Sequence, residues 1–225
     1  MDTLPAAGLA VVLGYLSGSV PFSWLAVRLR TGRDLRTIGS GNVGSTNASR
    51  VLGRAWFPVL FLLDGAKGAG PVWATGLFAA SGDPGAARWV AVAAAFGAIL
   101  GHVFPCTLRF KGGKAVATGA GAVFAMSPLA LAAGFAGFFV AAVLCRFVSV
   151  GSIVAGFSVL GAEIWLSRGD PGWDRTPTLL FLSILALVVL ILHLPNLGRI
   201  AAGTEPRILE RPPPPGTASD GGNAP

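Results

Sequence analysis

Apolar stretches of about twenty residues recur along the chain, and each is long enough to cross a bilayer as one helix. Charged residues make up 12% of the 225 residues and the mean hydropathy is +0.68, so a chain this short could not bury its apolar surface in water. Seven stretches can be drawn, at approximately residues 5–27, 55–80, 88–107, 115–127, 129–146, 150–167 and 177–194; the fourth is shorter than the others and is either a full span or a half-span. The sequence therefore predicts an all-α integral membrane protein with about seven transmembrane helices.

The distribution of basic residues predicts the orientation. If Ser127-Pro128 separates the fourth and fifth stretches, thirteen of the 17 Lys and Arg residues fall on one side of the membrane. A merged helix would leave six spans and weaken this bias. Because basic loops stay in the cytoplasm, we expect seven spans with the N-terminus outside and the C-terminus inside. The net charge of +7 then reflects topology and attraction to anionic lipid headgroups rather than nucleic-acid binding.

Residues 1–210 are predicted to form a single membrane domain. Residues 211–225 are rich in proline and glycine without apolar periodicity, which predicts a disordered cytoplasmic tail. Cys106 and Cys145 fall near the cytoplasmic face, where a disulfide is not expected. The small-residue pairs Gly97/Gly101 and Gly151/Ala155 predict close contacts between helices.

Three polar segments interrupt the apolar pattern, and all three are predicted on the cytoplasmic side. They read IGSGNVGSTNASR from Ile38, LRFKGGKAVATG from Leu108, and HLPNLGRIAAGTEPRILE from His193. Hydroxyl and amide groups orient ligands, lysine and arginine bind oxyanions, and glycines expose the backbone. Together the segments indicate a site for a small phosphorylated ligand at the membrane edge.

The run GSGNVG also fits the G-x-G-x-x-G pattern of dinucleotide-binding proteins, and Asp64 follows twenty residues after Gly44. However, the run follows an arginine-rich loop rather than a strand, and Asp64 lies within an apolar stretch. The pattern indicates a nucleotide only within a βαβ unit. We therefore interpret the run as a phosphate cradle.

The three segments resemble the bacterial membrane acyl-phosphate:glycerol-3-phosphate acyltransferase family, known as PlsY. The matching text is GSGNVGSTNASR, then GHVFP with FKGGKAVAT, then His193 to Glu205, with DGAKG at 64–68 as a further match. The resemblance implies transfer of a fatty acyl group from acyl phosphate to the 1-hydroxyl of glycerol 3-phosphate, which gives lysophosphatidate and phosphate. This is the first acylation of phospholipid synthesis, at the bacterial inner membrane, and neighbouring lipid-synthesis enzymes are further candidate partners.

The resemblance also implies roles for individual residues. The expected catalytic residues are Ser40, Arg50, His193 and Asn196. The expected substrate- and phosphate-binding residues are Gly41, Asn42, Gly44, Thr46, Asn47, Lys111, Gly112, Gly113, Lys114 and Ser149. Structural roles are expected for Glu205 and for the pair Asp64 and Lys67, which can meet across one helical turn. No Cys, His and carboxylate cluster has metal-ligand spacing, so we expect neither a metal nor a cofactor.

Two departures from the family pattern concern the second and third segments. Ala115 stands where the family usually has glycine; its Cβ is obstructive at positive φ and harmless inside a helix. Leu194 and Pro195 replace more polar residues, so His193 and Asn196 share a helical face only if the helix continues.

Acyl phosphate is a mixed anhydride with an activated carbonyl, so direct transfer requires no covalent enzyme intermediate. His193 is the side-chain candidate for accepting the hydroxyl proton, and a substrate phosphate is the rival base. His102 is expected to hydrogen-bond between helices, and Glu163 is expected at the outer interface. Two other functions remain open, namely a transporter of a phosphorylated solute and a lipid-binding scaffold.

Overall fold

The computed structural model describes residues 3–77, 83–168 and 175–208, and within them the chain forms helices without any strand. The helices are α1 (Thr3–Gly18), α2 (Phe22–Thr31), α3 (Ser45–Leu52), α4 (Trp56–Ala74), α5 (Pro84–Val103), α6 (Val116–Met126), α7 (Pro128–Cys145), α8 (Val148–Ser167) and α9 (Thr176–Ala201). Short 3-10 turns cover Leu35–Thr37, Thr75–Leu77 and Cys106–Leu108. In the described chain no strand precedes the GSGNVG run. A dinucleotide site would need such a strand, so its absence there agrees with the interpretation of the run as a phosphate cradle. The predicted tail at 211–225 lies outside the described residues.

Five segments of the described chain are long and apolar enough to cross a membrane. They are Thr3–Thr31, Pro84–Leu108, Pro128–Cys145, Val148–Ser167 and Thr176–Ala201. Helix α4 carries two charged residues and α6 has only 11 residues, so neither is in this group. The predicted boundary at Ser127-Pro128 is confirmed, because α6 ends at Met126 and α7 begins at Pro128.

The first predicted span is broken into two helices. Helix α1 ends at Gly18 and α2 begins at Phe22, after Pro21, whose ring nitrogen cannot donate a helical hydrogen bond. The carbonyl groups freed by the break have new partners. Lys67 Nζ donates to the Val20 oxygen at 2.8 Å, and Thr107 Oγ1 donates to the Ser19 oxygen at 2.6 Å.

Glycines bring α1 and α5 into backbone contact. A Cβ added at Gly97 or Gly101 would collide with carbonyl oxygens of α1, and one added at Gly14 or Gly18 would collide with those of α5. The close contact predicted for Gly97 and Gly101 is confirmed, and the two glycines of α1 complete it. Such small residues let helices approach closely in lipid.

The expected ion pair between Asp64 and Lys67 is present inside the bundle. The two charged groups are 2.9 Å apart and both side chains are almost fully buried. Ser23 Oγ of α2 donates to Asp64 Oδ2 at 3.0 Å. The pair therefore joins α4 to the break between α1 and α2, since Lys67 also binds a carbonyl there.

Glu163, which was expected at the outer interface, lies near the end of α8 and is buried within the bundle. Its side chain is buried, accepts a hydrogen bond from Ser127 Oγ at 2.5 Å, and pairs with Arg175 Nη1 at 3.1 Å. Ser127 precedes α7 and Arg175 precedes α9. Glu163 of α8 thus ties together the helix ends opposite the polar segments.

Candidate active site

The first polar segment is folded around Asn47. The Nδ2 group donates to the carbonyls of Ile38 at 2.9 Å and Asn42 at 3.0 Å, and Oδ1 accepts the Ser40 N–H at 3.3 Å. Gly41 turns the loop at φ +69°, a conformation that glycine adopts without strain. Asn47 is 2% exposed, and its amide holds the loop in shape; its predicted contact with substrate stays a prediction.

Helix α3 places the remaining residues of this segment. Gly44 precedes the helix in an extended conformation, and no side chain caps the first turn. Thr46 and Arg50 are four residues apart on one half-buried face of α3, and Ser40 is exposed on the loop before it. The opposite face packs through Ala48 against Leu35 and Leu60. The first segment thus carries an exposed hydroxyl at Ser40 and half-buried polar residues at Thr46 and Arg50.

The second polar segment is attached to the end of α5 by backbone hydrogen bonds. The Gly112 N–H donates to the Val103 oxygen at 3.1 Å, and the Gly113 N–H donates to the His102 oxygen at 3.0 Å. A side chain on either glycine would collide with His102. These N–H groups therefore close the end of α5, and the predicted contact of Gly112 and Gly113 with substrate stays a prediction. Lys111 is exposed on the same loop.

Ala115 could lie either at positive φ or inside a helix, and the structure has it at positive φ, the unfavourable conformation. It caps the N-terminus of α6 at φ 57° and ψ 15°, in the left-handed region, and its side chain is fully buried. His102 lies beneath this loop, where its Nδ1 is 3.0 Å from Thr118 Oγ1 of α6. The predicted hydrogen bond of His102 between helices is therefore confirmed.

Helix α9 continues through Pro195, which answers the question raised by that proline. The helix extends to Ala201, so His193 and Asn196 lie on one face, and both are buried. His193 Nδ1 is 2.7 Å from the Val189 oxygen. Because a carbonyl oxygen can only accept, Nδ1 carries a proton, and a neutral ring leaves Nε2 as an acceptor.

A polar cluster of Lys114, Asn196, Arg199 and Glu205 joins the second and third segments. Lys114 Nζ donates to Asn196 Oδ1, and Asn196 Nδ2 donates to Glu205 Oε1 at 2.6 Å. Arg199 Nε binds the other Glu205 oxygen at 2.7 Å. Glu205 thus holds the Asn196 amide and the Arg199 guanidinium together. Sequence reasoning did not assign a role to Arg199, although it precedes Glu205 by six residues.

The lysine of this polar cluster is easier to deprotonate than a free lysine. The pKa of Lys114 is lowered to about 8, mainly by burial and also by the nearby charge of Arg199, while the charge of Glu205 opposes the shift. Lys114 also contributes positive charge near His193. The cluster therefore holds a cation whose charge is incompletely balanced, next to an imidazole, and this suits an anionic ligand.

Two further contacts bring the polar segments together. Arg36, two residues before the first segment, donates from Nη1 to the oxygen of Leu108, the first residue of the second segment, at 3.3 Å. Arg36 is itself held by Asp34, whose pKa it keeps well below the usual range. Arg36 was not among the predicted site residues. On the other side, the Ile208 N–H donates to the Arg146 oxygen at 2.8 Å, so the chain after α9 reaches the junction of α7 and α8.

Ser149 lies in the first turn of α8, three residues after Arg146. It is 2% exposed, and its hydroxyl oxygen has no hydrogen-bond partner within the described chain. A buried unpaired hydroxyl is uncommon in a folded protein. Its placement at a helix start is compatible with the predicted phosphate contact.

Comparison with known proteins assigns the chain to a family. The sequence profile of the glycerol-3-phosphate acyltransferases matches residues 8–203. A glycerol-3-phosphate acyltransferase from Anaeromyxobacter sp. (strain K) is 39% identical over 200 residues, which cover 89% of this chain and 96% of that protein. Another, from Synechococcus elongatus, is 38% identical over 202 residues, covering 89% of this chain and 93% of its own.

Two solved structures agree with this assignment. The glycerol 3-phosphate form of PlsY (YgiH), an integral membrane glycerol 3-phosphate acyltransferase, has a TM-score of 0.77 at 33% identity and covers 90% of this chain and 95% of that chain. The lysophosphatidic acid form has a TM-score of 0.74 at 30% identity, covering 89% and 94%. The chain therefore belongs to the glycerol-3-phosphate acyltransferase family of integral membrane enzymes.

Proposed function

We propose that the chain transfers a fatty acyl group from acyl phosphate to the 1-hydroxyl of glycerol 3-phosphate, without a covalent enzyme intermediate. The products are lysophosphatidate and phosphate. The observation that carries the proposal is the polar cluster beside His193. There, Lys114 has a lowered pKa and lies near the imidazole of His193, whose Nε2 can accept a hydrogen bond. The solved relatives were crystallised as glycerol 3-phosphate and lysophosphatidic acid forms, which supports this choice of acceptor and product.

Lys114 and Arg50 are the proposed phosphate ligands. A lysine and an arginine satisfy the charge of a phosphate with charge-assisted hydrogen bonds. Thr46 and Ser40 supply hydroxyl groups from the first segment, and Ser149 supplies one from α8. Positioning two bound anions in this way can contribute a large part of the catalysis, on the order of 7–11 kcal/mol in ideal cases.

The reaction then needs one bond exchange. The 1-hydroxyl oxygen attacks the acyl carbonyl carbon, the bond from that carbon to the phosphate oxygen breaks, and phosphate leaves with the bonding electrons. His193 Nε2 accepts the hydrogen bond of the attacking hydroxyl and orients it. The proton passes to a phosphate oxygen of a substrate, so His193 is an orienting residue and phosphate is the base. Positive charge from Lys114 stabilises the negative charge that develops on oxygen.

A phosphate-release assay tests the function. Purified protein is expected to release phosphate from palmitoyl phosphate only when glycerol 3-phosphate is present, with formation of an equal amount of lysophosphatidate. Release without acceptor, or transfer from another activated acyl donor but not from acyl phosphate, would contradict the proposal. Lys114→Met, assayed at a glycerol 3-phosphate concentration near the wild-type KM, serves as the impaired control.

The role of His193 is tested separately with His193→Gln. If His193 only orients the hydroxyl, the variant keeps a measurable fraction of the rate, since an amide oxygen can also accept a hydrogen bond. A pH–rate profile of the variant should keep its acidic limb, which belongs to the substrate phosphate. Complete loss of activity with unchanged glycerol 3-phosphate binding would instead identify His193 as the base.

The proposed topology has seven spans, with the N-terminus outside and the polar segments at the cytoplasmic face of the bacterial inner membrane. Helices α4 and α6 add to the five apolar segments, and the positive-inside bias supports the orientation. A transporter would carry its ligand groups near mid-membrane. Here the one charged pair described inside α4, Asp64 and Lys67, is satisfied internally, so the geometry favours an enzyme.

A further inference from the structure

The loop before the first polar segment contains an ion pair with two-point contact. Arg36 Nη2 lies 2.6 Å from Asp34 Oδ2, and Arg36 Nε lies 3.1 Å from Oδ1 of the same carboxylate. The Asp34 carboxylate also accepts the indole N–H of Trp24, on α2, at 2.9 Å and the backbone N–H of Arg36 at 2.9 Å. Because a planar guanidinium bound at two points has little freedom to rotate, Asp34 and α2 fix the direction of its remaining nitrogen.

That remaining nitrogen of Arg36 contacts the second polar segment. Arg36 Nη1 donates to the Leu108 oxygen at 3.3 Å, and the same carbonyl accepts the backbone N–H of Lys111 at 3.3 Å. Leu108 is buried, so its carbonyl is held in place. Lys114 follows Leu108 by six residues. The guanidinium group of Arg36 therefore binds the start of the loop that carries Lys114.

The backbone beside Arg36 is held by the first polar segment. Asn47 Nδ2 donates to the Ile38 oxygen at 2.9 Å, two residues after Arg36. Asn47 is buried in α3, three residues before Arg50. The chain at Arg36 is thus attached to the helix that carries Arg50, while its side chain is attached to the loop that carries the other proposed phosphate ligand.

We propose that Arg36, held by Asp34, is a positioning residue that sets the distance between Arg50 and Lys114 and therefore between the two bound anions. This inference rests on the proposed acyl transfer. The two side chains of the pair are 34% and 27% exposed, and exposed ion pairs contribute little to stability. A displacement of about 1 Å between reacting groups, by contrast, can lower a rate by roughly 100-fold. The effect of the pair is therefore expected in the rate of transfer.

The test compares Arg36→Gln with Arg33→Gln in assays of transfer from palmitoyl phosphate, with each substrate varied in turn. Arg36→Gln removes the contacts with Asp34 and Leu108. Its kcat should fall by about 10- to 100-fold while each KM changes by less than about threefold, because neither phosphate ligand is removed. Its thermal inactivation in detergent should stay close to that of the wild type. Arg33 is exposed on the same loop, so its variant removes an equal charge and should keep the wild-type kcat.

Two further variants keep the test informative if Arg36→Gln does not fold. Arg36→Lys retains the charge but cannot bind Asp34 and Leu108 at once, so it should restore only part of kcat. Asp34→Asn keeps an acceptor for Trp24 and loosens the guanidinium. Combined with Arg36→Gln, it should add little further loss, because both changes remove the same contact.

Three results overturn the inference in an active wild-type background. They are an unchanged kcat in the folded Arg36→Gln and Asp34→Asn variants, a KM increase that accounts for the whole loss, and a double variant whose loss is the product of the two single losses. Absence of phosphate release from palmitoyl phosphate by the wild type overturns the proposed function instead.

Discussion

Lys114 is the residue at which the second and third polar segments meet, through Asn196. Glu205 accepts a hydrogen bond from the Nδ2 group of Asn196. The Glu205 carboxylate therefore positions the amide that contacts Lys114. Lys114→Met should therefore raise the KM for glycerol 3-phosphate by about 10- to 100-fold, as expected for a lost hydrogen bond to a charged group. Initial rates across a glycerol 3-phosphate series measure this, and an unchanged KM would contradict the assigned role.

The pKa of Lys114 predicts a pH dependence. The value of about 8 lies below that of a free lysine, so the side chain is charged below this pH and loses its charge above it. Phosphate binds the charged form, and kcat/KM for glycerol 3-phosphate should fall as the pH rises through 8. Lys114→Arg stays charged and should shift this limb to higher pH. A limb at the same pH in that variant would show that another group titrates.

Ala115 predicts a small effect of restoring glycine. At φ 57° its Cβ costs about 1–2 kcal/mol in the left-handed region, whereas the buried methyl group contributes about 0.8 kcal/mol. Ala115→Gly should thus change thermal stability in detergent by about 1 kcal/mol or less and keep activity. Ala115→Val should lower the free energy of unfolding by several times that amount, because a branched side chain at this φ is strongly disfavoured. Equal stability of the two variants would contradict the assigned backbone.

For single residues, the sequence predicted which residues belong to the polar segments, but not which atoms they bind. The sequence indicates that Asn47 and Gly113 belong to polar segments near a phosphate site. It does not show that the Asn47 amide is consumed by its own loop, or that the Gly113 N–H closes α5. Such assignments depend on which atoms lie within 3 Å, and sequence spacing does not determine that.

Helix α5 depends on Gly101 for its contact with α1. A Cβ at Gly101 would collide with the Tyr15 oxygen, so Gly101→Ala must separate the two backbones, at a cost of about 1–3 kcal/mol. Gly161→Ala is the control, because no atom lies within 4 Å of the added Cβ, and alanine in a helix is favourable by about 1 kcal/mol. Thermal inactivation in detergent compares them. A destabilised Gly161 variant with an unaffected Gly101 variant would contradict the packing.

Helix α8 is held to its neighbours by the buried Glu163 group. Glu163→Ala removes the carboxylate that binds Ser127 and Arg175 and, because the Arg175 side chain is partly exposed, should cost about 1–2 kcal/mol of stability. Arg175 precedes His193 by eighteen residues, about 27 Å of helix, so kcat of the folded variant should be unchanged. Thermal inactivation and initial rates measure the two quantities. A large loss of kcat with normal stability would instead assign the group a part in catalysis.

Most helices were predicted from the length of the apolar stretches, and the exceptions have physical reasons. The break between α1 and α2 was missed because residues 19–21 are followed by further apolar residues, and only the new carbonyl partners make the break stable. The continuation of α9 through Pro195 was left open because proline removes one helical hydrogen bond. Contacts of Asn196 and Arg199 with Glu205 hold the last turns together.

The molecule as a whole gathers three polar segments, far apart in the chain, at one end of an apolar helix bundle. The contact of Arg36 with Leu108 and that of Lys114 with Asn196 establish this arrangement for adjoining segments. Periodicity and charge bias predicted which end they share. They could not predict the contacts themselves, because helix rotation and tilt in a membrane are set by packing.

Cysteine labelling tests the central claim that this gathered end faces the cytoplasm and binds glycerol 3-phosphate. Ser40→Cys and Lys111→Cys place thiols at exposed positions of the first and second segments, in a background where the exposed Cys106 and Cys145 are replaced by serine. A membrane-impermeant thiol reagent should leave both variants unmodified in intact cells and modify both in inverted vesicles, more slowly with glycerol 3-phosphate present. Modification of either variant from outside intact cells would contradict the account.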